Sequence, residues 1–398
     1  MLGAIIGDVA GSLYEVKEVK ALLNKEKISK DERCKILNKK TPLFLESSSL
    51  TDDSILSLAL IDAYLNKKDY KEKLKEYGLK EHEKGLDIYG RSKFGKGFIE
   101  FLYDDTKCNS YGNGCAMRIG ALASLFNDID TLKEEVYKAT IPTHNHPESL
   151  LCAECLAVAI YLAKNKYSKE FIKEYIEKHY FSLDFNLEDL QENYKFTSKA
   201  IKSVPQAIYV FLESNDFEDA IRKAISVGGD SDTIACMVGT IAEEYYGIPE
   251  NLIKEVSSYI PEEYNHLINK YYLTKELIEF LREENINQKD FLEYIKTHTY
   301  LIDSKDGQLW SGCFPKYDEN NLLYVINLMM PELTNRSDLL INIHEIMHAH
   351  ELYEYLGKTY KENIKESEKK ARNLEKRYLI KKLTKTLRRG INNEKNSK

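Results

Sequence analysis

Two short runs of this chain place paired carboxylates beside hydroxyls where apolar helices begin. The first is Thr51-Asp52-Asp53-Ser54, which opens the apolar stretch Ser54–Leu65. The second is Gly228-Gly229-Asp230-Ser231-Asp232-Thr233, which opens the apolar stretch 233–246. Such compact sets of hard oxygen ligands suit Mg²⁺ or Mn²⁺, not a soft metal. Two tips of this kind facing each other could hold two cations a few ångströms apart. Helix capping is the competing reading, because Thr and Asp at helix starts satisfy orphan N–H groups. Capping uses one side chain per helix and leaves the second Asp of each pair unexplained.

A different chemistry is spelled far down the chain. His344 and His348 are four residues apart, so on a helix they share one face and can bind one zinc, with Glu345 beside them to activate a zinc-bound water. A third ligand is needed, and Glu368 in the helical run after Lys361 is the choice, with Glu351, Glu362 and Glu366 as alternatives. The competing reading is a surface helix with chance histidines, of which His350 would be one.

The elements that must carry these residues follow from periodicity. Segments 54–65, 115–126, 149–164, 205–213 and 233–246 are apolar with few breaks, as helices buried on most sides are, and Gly- and Asn-rich joints separate them. No alternation of strands and helices suggests a parallel sheet. The first part is therefore expected to be an all-α bundle over residues 1–275. Charged, helix-forming sequence over 276–299 predicts a connecting helical segment. From 300 to 398 the texture changes to a small α+β domain, with an apolar strand at Leu322–Met330, the histidine helix and a basic C-terminal helix or tail.

Bulk properties limit what the chain does. Its 398 residues are long for one core and suggest two domains. A net charge of −7 gives no whole-protein reason to expect nucleic acid or an anionic membrane. The basic stretch from Lys376 to Lys398, with Leu379, Ile380, Leu383 and Leu387 at helical spacing, reads more readily as a solvated helix on its own domain. No basic region precedes the apolar opening, which Asp8 interrupts, so a signal peptide is not expected. The seven scattered cysteines read as reduced thiols of a cytoplasmic protein, and Cys152 and Cys155 as buried on a helix.

The blocks around the first two motifs resemble the ADP-ribosylglycohydrolase family. The resemblance runs over about residues 1–272 through Gly3–Glu15, Ser49–Leu60, Ser110–Ala121, Thr143–Glu148, Ser203–Leu212 and Val227–Pro249. It implies a dinuclear magnesium site with Thr51, Asp52, Asp53, Asp230, Asp232 and Thr233 as ligands, holding the distal ribose hydroxyls of an ADP-ribosyl group. Water attack at the anomeric carbon would then release ADP-ribose from a modified protein or other ADP-ribosylated substrate.

By the same resemblance Asp8 and Glu15 are the remaining acids and the catalytic candidates, with Glu15 in an acid/base role. Bland readings stand beside these: Glu15 as a surface carboxylate, each glycine cluster as a turn, each histidine as structural. Ser110, Tyr111, Gly112, Asn113 and Gly114 would cradle the pyrophosphate with backbone N–H groups at a helix start. Gly95 and Gly97 fall where the family has a glycine loop, and His144 and His146 would line the ribose pocket. Two departures, Gln191-Glu192-Asn193 and Lys199-Ala200-Ile201-Lys202, leave open which attachment (arginine, serine, thymidine or another) is cleaved.

Residues 300–380 resemble the zincin metallopeptidases, which implies zinc and a peptide substrate. The pairing would let one domain edit a modification on a target that the other cleaves. Two rivals remain: an ADP-ribose-binding module without turnover, and a second domain that is only a partner-binding appendage.

Overall fold

The computed structural model describes residues 1–24, 28–86, 92–104, 109–283, 299–303 and 309–313. The chain divides into two compact units, Met1–Lys275 and Glu276–Lys398. The first unit opens with α1 (Leu2–Leu23), α2 (Lys30–Cys34), α3 (Asp52–Asn66), α4 (Tyr70–Glu83) and α5 (Lys96–Tyr103). Next come α6 (Gly114–Met117), α7 (Gly120–Ala123), α8 (Ile129–Thr140), α9 (Pro147–Lys164), α10 (Lys169–His179) and α11 (Leu187–Asn193). It closes with α12 (Val204–Leu212), α13 (Phe217–Val227), α14 (Ser231–Tyr246), α15 (Glu250–Ser257) and α16 (Asn265–Glu283), the last crossing the unit boundary. Among its described residues the first unit has isolated bridges and no β-strand.

The bundle is built around α14. Every residue from Ser231 to Glu244 is buried, as a helix that is apolar on all sides requires. α1, α3, α9, α12 and α13 pack on it. The α1 contact is a backbone approach. A Cβ added at Gly7 would lie 2.0 Å from the Ala235 carbonyl oxygen, and one at Gly11 would lie 2.5 Å from Asp232 Cα. Glycines at 3, 7 and 11 share one helix face, so the absence of side chains there lets the two helices touch. α1 thereby carries Asp8 and Glu15 to the N-terminus of α14.

Four of the five expected apolar helices appear as α3, α9, α12 and α14. The fifth, 115–126, breaks into α6 and α7 at Arg118 and Ile119. At the break the Arg118 guanidinium is drawn to Thr143, and Gly120 packs against the Thr240 side chain so closely that a Cβ would meet it at 2.6 Å. Cys152 and Cys155 are buried on α9 as unpaired thiols. Among the described residues no helix is long and apolar enough to cross a membrane.

In the second unit, β1 (Thr299–Asp303) and β2 (Leu309–Cys313) form an antiparallel pair with Thr299 opposite Cys313. The expected strand at Leu322–Met330, the histidine helix and the basic tail lie outside the described residues, as does 284–298 of the expected connecting segment.

Candidate metal centre and cavity

α3 and α14 bring their N-termini together. At α3, Thr51 is the N-cap, and its Oγ1 accepts from Asp53 N–H at 3.3 Å. Asp8, reaching over from α1, completes the capping. Its carboxylate accepts from the Thr51 amide at 3.0 Å, the Thr51 hydroxyl at 2.7 Å and the Ser54 amide at 3.1 Å. With these amides satisfied, Asp52 and Asp53 are released from capping.

The α14 end is reached through two consecutive left-handed glycines, Gly228 at φ 78° and Gly229 at φ 69°, a conformation that side chains other than glycine's resist. Asp230 occupies the N-cap position without a side-chain capping bond. Its Oδ2 instead accepts from Asn113 Nδ2 at 2.7 Å. Ser231 Oγ donates to the Gly11 carbonyl at 3.1 Å, fixing this end to α1. Thr233 Oγ1 donates across to Asp53 Oδ2 at 3.1 Å, so the two helix tips are directly bonded.

Two groups of three carboxylates result. Asp8, Asp53 and Asp232 bring oxygens within 4.8 Å of one another, and so do Glu15, Asp230 and Asp232. Asp232 belongs to both. Asp52 is in neither group, but it lines the same cavity.

Burial is the main cause of an upward shift in the five aspartates. It pushes Asp8 and Asp230 up to about 6. Burial and then neighbouring carboxylates hold Asp52, Asp53 and Asp232 well above the ordinary range. Asp53 Oδ1 is buried with no hydrogen-bond donor. A donorless buried carboxylate oxygen among three other buried acids is costly unless positive charge is supplied. These acidic clusters are groups that could bind metal.

The clusters form one wall of a cavity of about 1060 Å³, ample for a ligand of nucleotide size. Thr51, Asp52, Asp53, Asp230, Asp232, Thr233 and Glu15 all line it, as do Gly95, Gly97, Ser110, Tyr111, Gly112, Asn113, Gly114 and His144. Asp8 stands behind this lining.

Two expectations change on inspection. His146 does not line the cavity: its Nδ1 accepts from the Glu148 amide as the cap of α9, and its ring packs on Tyr111 at 4.1 Å. The Ser110–Gly114 loop is not a free cradle of amides. Ser110 N–H donates to the Thr143 carbonyl, Gly112 N–H to Ser110 Oγ and Asn113 N–H to the Ser198 carbonyl. Gly95 is the N-cap of α5, and Gly97 lies in that helix's first turn. His344, Glu345, His348 and Glu368 lie outside the described residues.

The cavity also has lining residues that the motifs did not single out. Phe94, Phe98 and Phe101 make an aromatic wall with successive ring centroids 5.0 and 5.5 Å apart. Phe98 and Phe101 stand four and seven residues beyond Phe94, a helical spacing that could have flagged them. Arg118, fully buried, also reaches the cavity. Its signal was a lone charge inside an apolar segment.

Comparison with known proteins agrees with this geometry. The family model described as ADP-ribosylglycohydrolase matches residues 1–284. Human ADP-ribosylhydrolase ARH3 is 24% identical, the match covering 65% of this chain and 88% of that protein. The ADP-ribosyl-(dinitrogen reductase) glycohydrolase of Rhodospirillum rubrum is 26% identical, covering 63% of this chain and 85% of its own. A solved structure described as an ADP-ribosylglycohydrolase-related protein complex is 21% identical, with a TM-score of 0.44, over 70% of this chain and 94% of its own. Because the family match takes in both acidic helix tips and every loop of the cavity, the chain belongs to the ADP-ribosylglycohydrolase family of glycosidic-bond hydrolases.

Proposed function

We propose that the first unit removes ADP-ribose from ADP-ribosylated proteins or other ADP-ribosylated molecules, using two magnesium ions, with manganese able to replace them. The observation that carries this is the pair of three-acid groups sharing Asp232, with a donorless Asp53 oxygen between the helix tips. Thr51, Asp52, Asp53, Asp230, Asp232 and Thr233 are the ligand set, and Asp8 joins them. Both Asp8 oxygens already accept hydrogen bonds from the α3 start, which suits an anchor and ligand better than a proton carrier. Divalent charge bound here would polarise the ribose hydroxyls and offset the repulsion of the carboxylates.

The chain's own residues supply the rest. Glu15 takes the proton of a water whose oxygen bonds to the anomeric carbon. The bond from that carbon to the modified group breaks, and Glu15 returns the proton to the departing atom, leaving free ADP-ribose and the unmodified group. The start of α5 at 95–97 and the loop at 110–114 flank the pyrophosphate, and the Phe94, Phe98 and Phe101 rings offer a face to the base.

The test is release of ADP-ribose from arginine-, serine- and thymidine-linked substrates, in Mg²⁺ and in EDTA. Metal-dependent release from one linkage is expected. Binding of ADP-ribose with no release from any of them would make the unit a binding module instead.

A separate proposal concerns residues 300–398 and rests on sequence alone. His344, His348 and Glu368 hold one zinc, and Glu345 activates water for peptide hydrolysis. Zinc content near one per chain, lost in His348→Ala, is expected. No zinc in either protein after zinc-supplemented expression would leave that region an appendage.

A further inference from the structure

Behind the Gly112–Gly114 loop lies a chain of three polar side chains that take no part in the hydrolysis as proposed. Arg118 is fully buried, and its Nη2–H donates to Thr143 Oγ1. Its Nε and Nη1 have no acceptor among the described residues, so Thr143 is the partner that holds it. Thr143 Oγ1 in turn lies 2.6 Å from His144 Nδ1.

Hydrogen-bond accounting favours one placement of the protons, the one in which the Thr143 hydroxyl both accepts and donates. A guanidinium only donates, so Thr143 accepts from Arg118. A threonine hydroxyl has one proton to give, and His144 Nδ1 is the acceptor beside it. The arrangement in which that proton is used has Nδ1 bare, which puts the proton of the neutral ring on Nε2. A second proton on the ring is opposed by burial and by the adjacent Arg118 charge, which together hold His144 well below the ordinary histidine range.

The Nε2 edge is kept clear. A Cβ built on Gly112 or on Gly114 would lie 3.4 Å from Nε2, and the one on Gly114 only 3.2 Å from Cε1. Two glycines therefore leave room in front of the ring atom that carries the proton, on a histidine that lines the cavity.

We propose that Arg118 and Thr143 are positioning residues that lock His144 as a neutral Nε2–H donor aimed at an oxygen of the bound substrate. The class of acceptor is a ribose hydroxyl or a phosphate oxygen. Only the identity of that acceptor rests on the glycohydrolase reading; the tautomer does not.

The test is ¹⁵N NMR of the full chain labelled in its histidine rings, with His144 assigned by the signals missing from His144→Gln. The expected spectrum shows Nδ1 unprotonated and hydrogen-bonded and Nε2 protonated. Thr143→Ser keeps that signature and the turnover. Thr143→Val gives a mixture of tautomers and lowers kcat roughly 10–100-fold, as loss of a supporting hydrogen bond does. Added inorganic pyrophosphate or ADP shifts the Nε2 signal if the acceptor is a phosphate oxygen, whereas only ADP-ribose shifts it if the acceptor is a hydroxyl of the distal ribose.

A protonated Nδ1 in the unmodified protein overturns the proposal, even if Thr143→Val does not fold. So does a Thr143→Val protein with the unmodified signature, or an Nε2 signal that neither ligand moves. A locked tautomer in a protein that hydrolyses no ADP-ribosylated substrate would sink the glycohydrolase reading and leave the lock standing.

Discussion

The two helix tips that meet at the candidate metal centre have nearly the same composition and use it differently. At α3 the N-terminal amides are capped by Thr51 and by Asp8 from another helix, which leaves both aspartates of the tip for other work. At α14 the residue in the capping position, Asp230, makes no capping bond because its carboxylate is held by Asn113, and Asp232 Oδ1 accepts from the Thr233 amide at 2.9 Å. One tip imports part of its cap from another helix, and the other makes no capping bond with its N-cap side chain. The shared outcome is that Asp52, Asp53, Asp230 and Asp232 all line one cavity.

Substitutions that separate the two uses test this comparison. The largest effect is expected from Asp53→Asn and Asp232→Asn. Each should lower kcat by about 10³-fold, equivalent to about 4 kcal/mol of lost transition-state stabilisation. Each should also raise the melting temperature of EDTA-stripped protein, because a buried carboxylate with no compensating charge is removed. Lower stability together with full turnover would contradict both uses.

Next in size is Gly7→Ala, which places a methyl 2.0 Å from the Ala235 carbonyl oxygen. The helices must part, at a cost of about 1–3 kcal/mol in denaturant unfolding. Mg²⁺ affinity should fall as well, since α1 carries Asp8 and Glu15 to α14. Unchanged stability would show that the contact relaxes freely.

Smaller again is a contrast between the caps. Thr51→Ala should cost about 1 kcal/mol of stability in stripped protein, whereas Asp230→Asn should cost none, because no capping bond is lost there. Equal losses would mean that both acidic tips are ordinary caps.

The gentlest effect is the pH dependence of the stripped protein. Asp8 and Asp230 are raised to about 6 from an ordinary 3.8. Groups raised on folding contribute stability when protonated and lose it as pH rises through the folded value. Metal-free protein should therefore melt higher near pH 5 than near pH 7.5, and added Mg²⁺ should stabilise more at the higher pH. A melting temperature that rises over that interval would contradict the buried-acid account.

The acidic tips were legible because a helix start needs only one capping side chain, so a second carboxylate at the head of an apolar helix points to a ligand. The partnership of α1 with both tips was harder to read. Its signal was glycine at 3, 7 and 11, a spacing that marks a face without side chains but does not say which backbone fills it. The roles of Asn113 and His146 differ from expectation because a glycine- and histidine-rich loop signals proximity to a ligand without saying which groups are already bonded. Asn113 spends its amide and its side chain on Ser198 and Asp230, and His146 caps a helix. Arg118 broke an apolar segment into α6 and α7, because a buried guanidinium goes where an acceptor lies, which periodicity does not reveal.

The central claim is that the facing tips form a two-cation site on which hydrolysis depends. Calorimetric titration of Mn²⁺ into EDTA-stripped full-length protein, run beside Asp232→Asn, tests it most directly. The account predicts two bound ions per chain, and both weakened in the variant, because Asp232 belongs to both carboxylate groups. No binding to the unmodified protein, with ADP-ribose release continuing in EDTA, would contradict it.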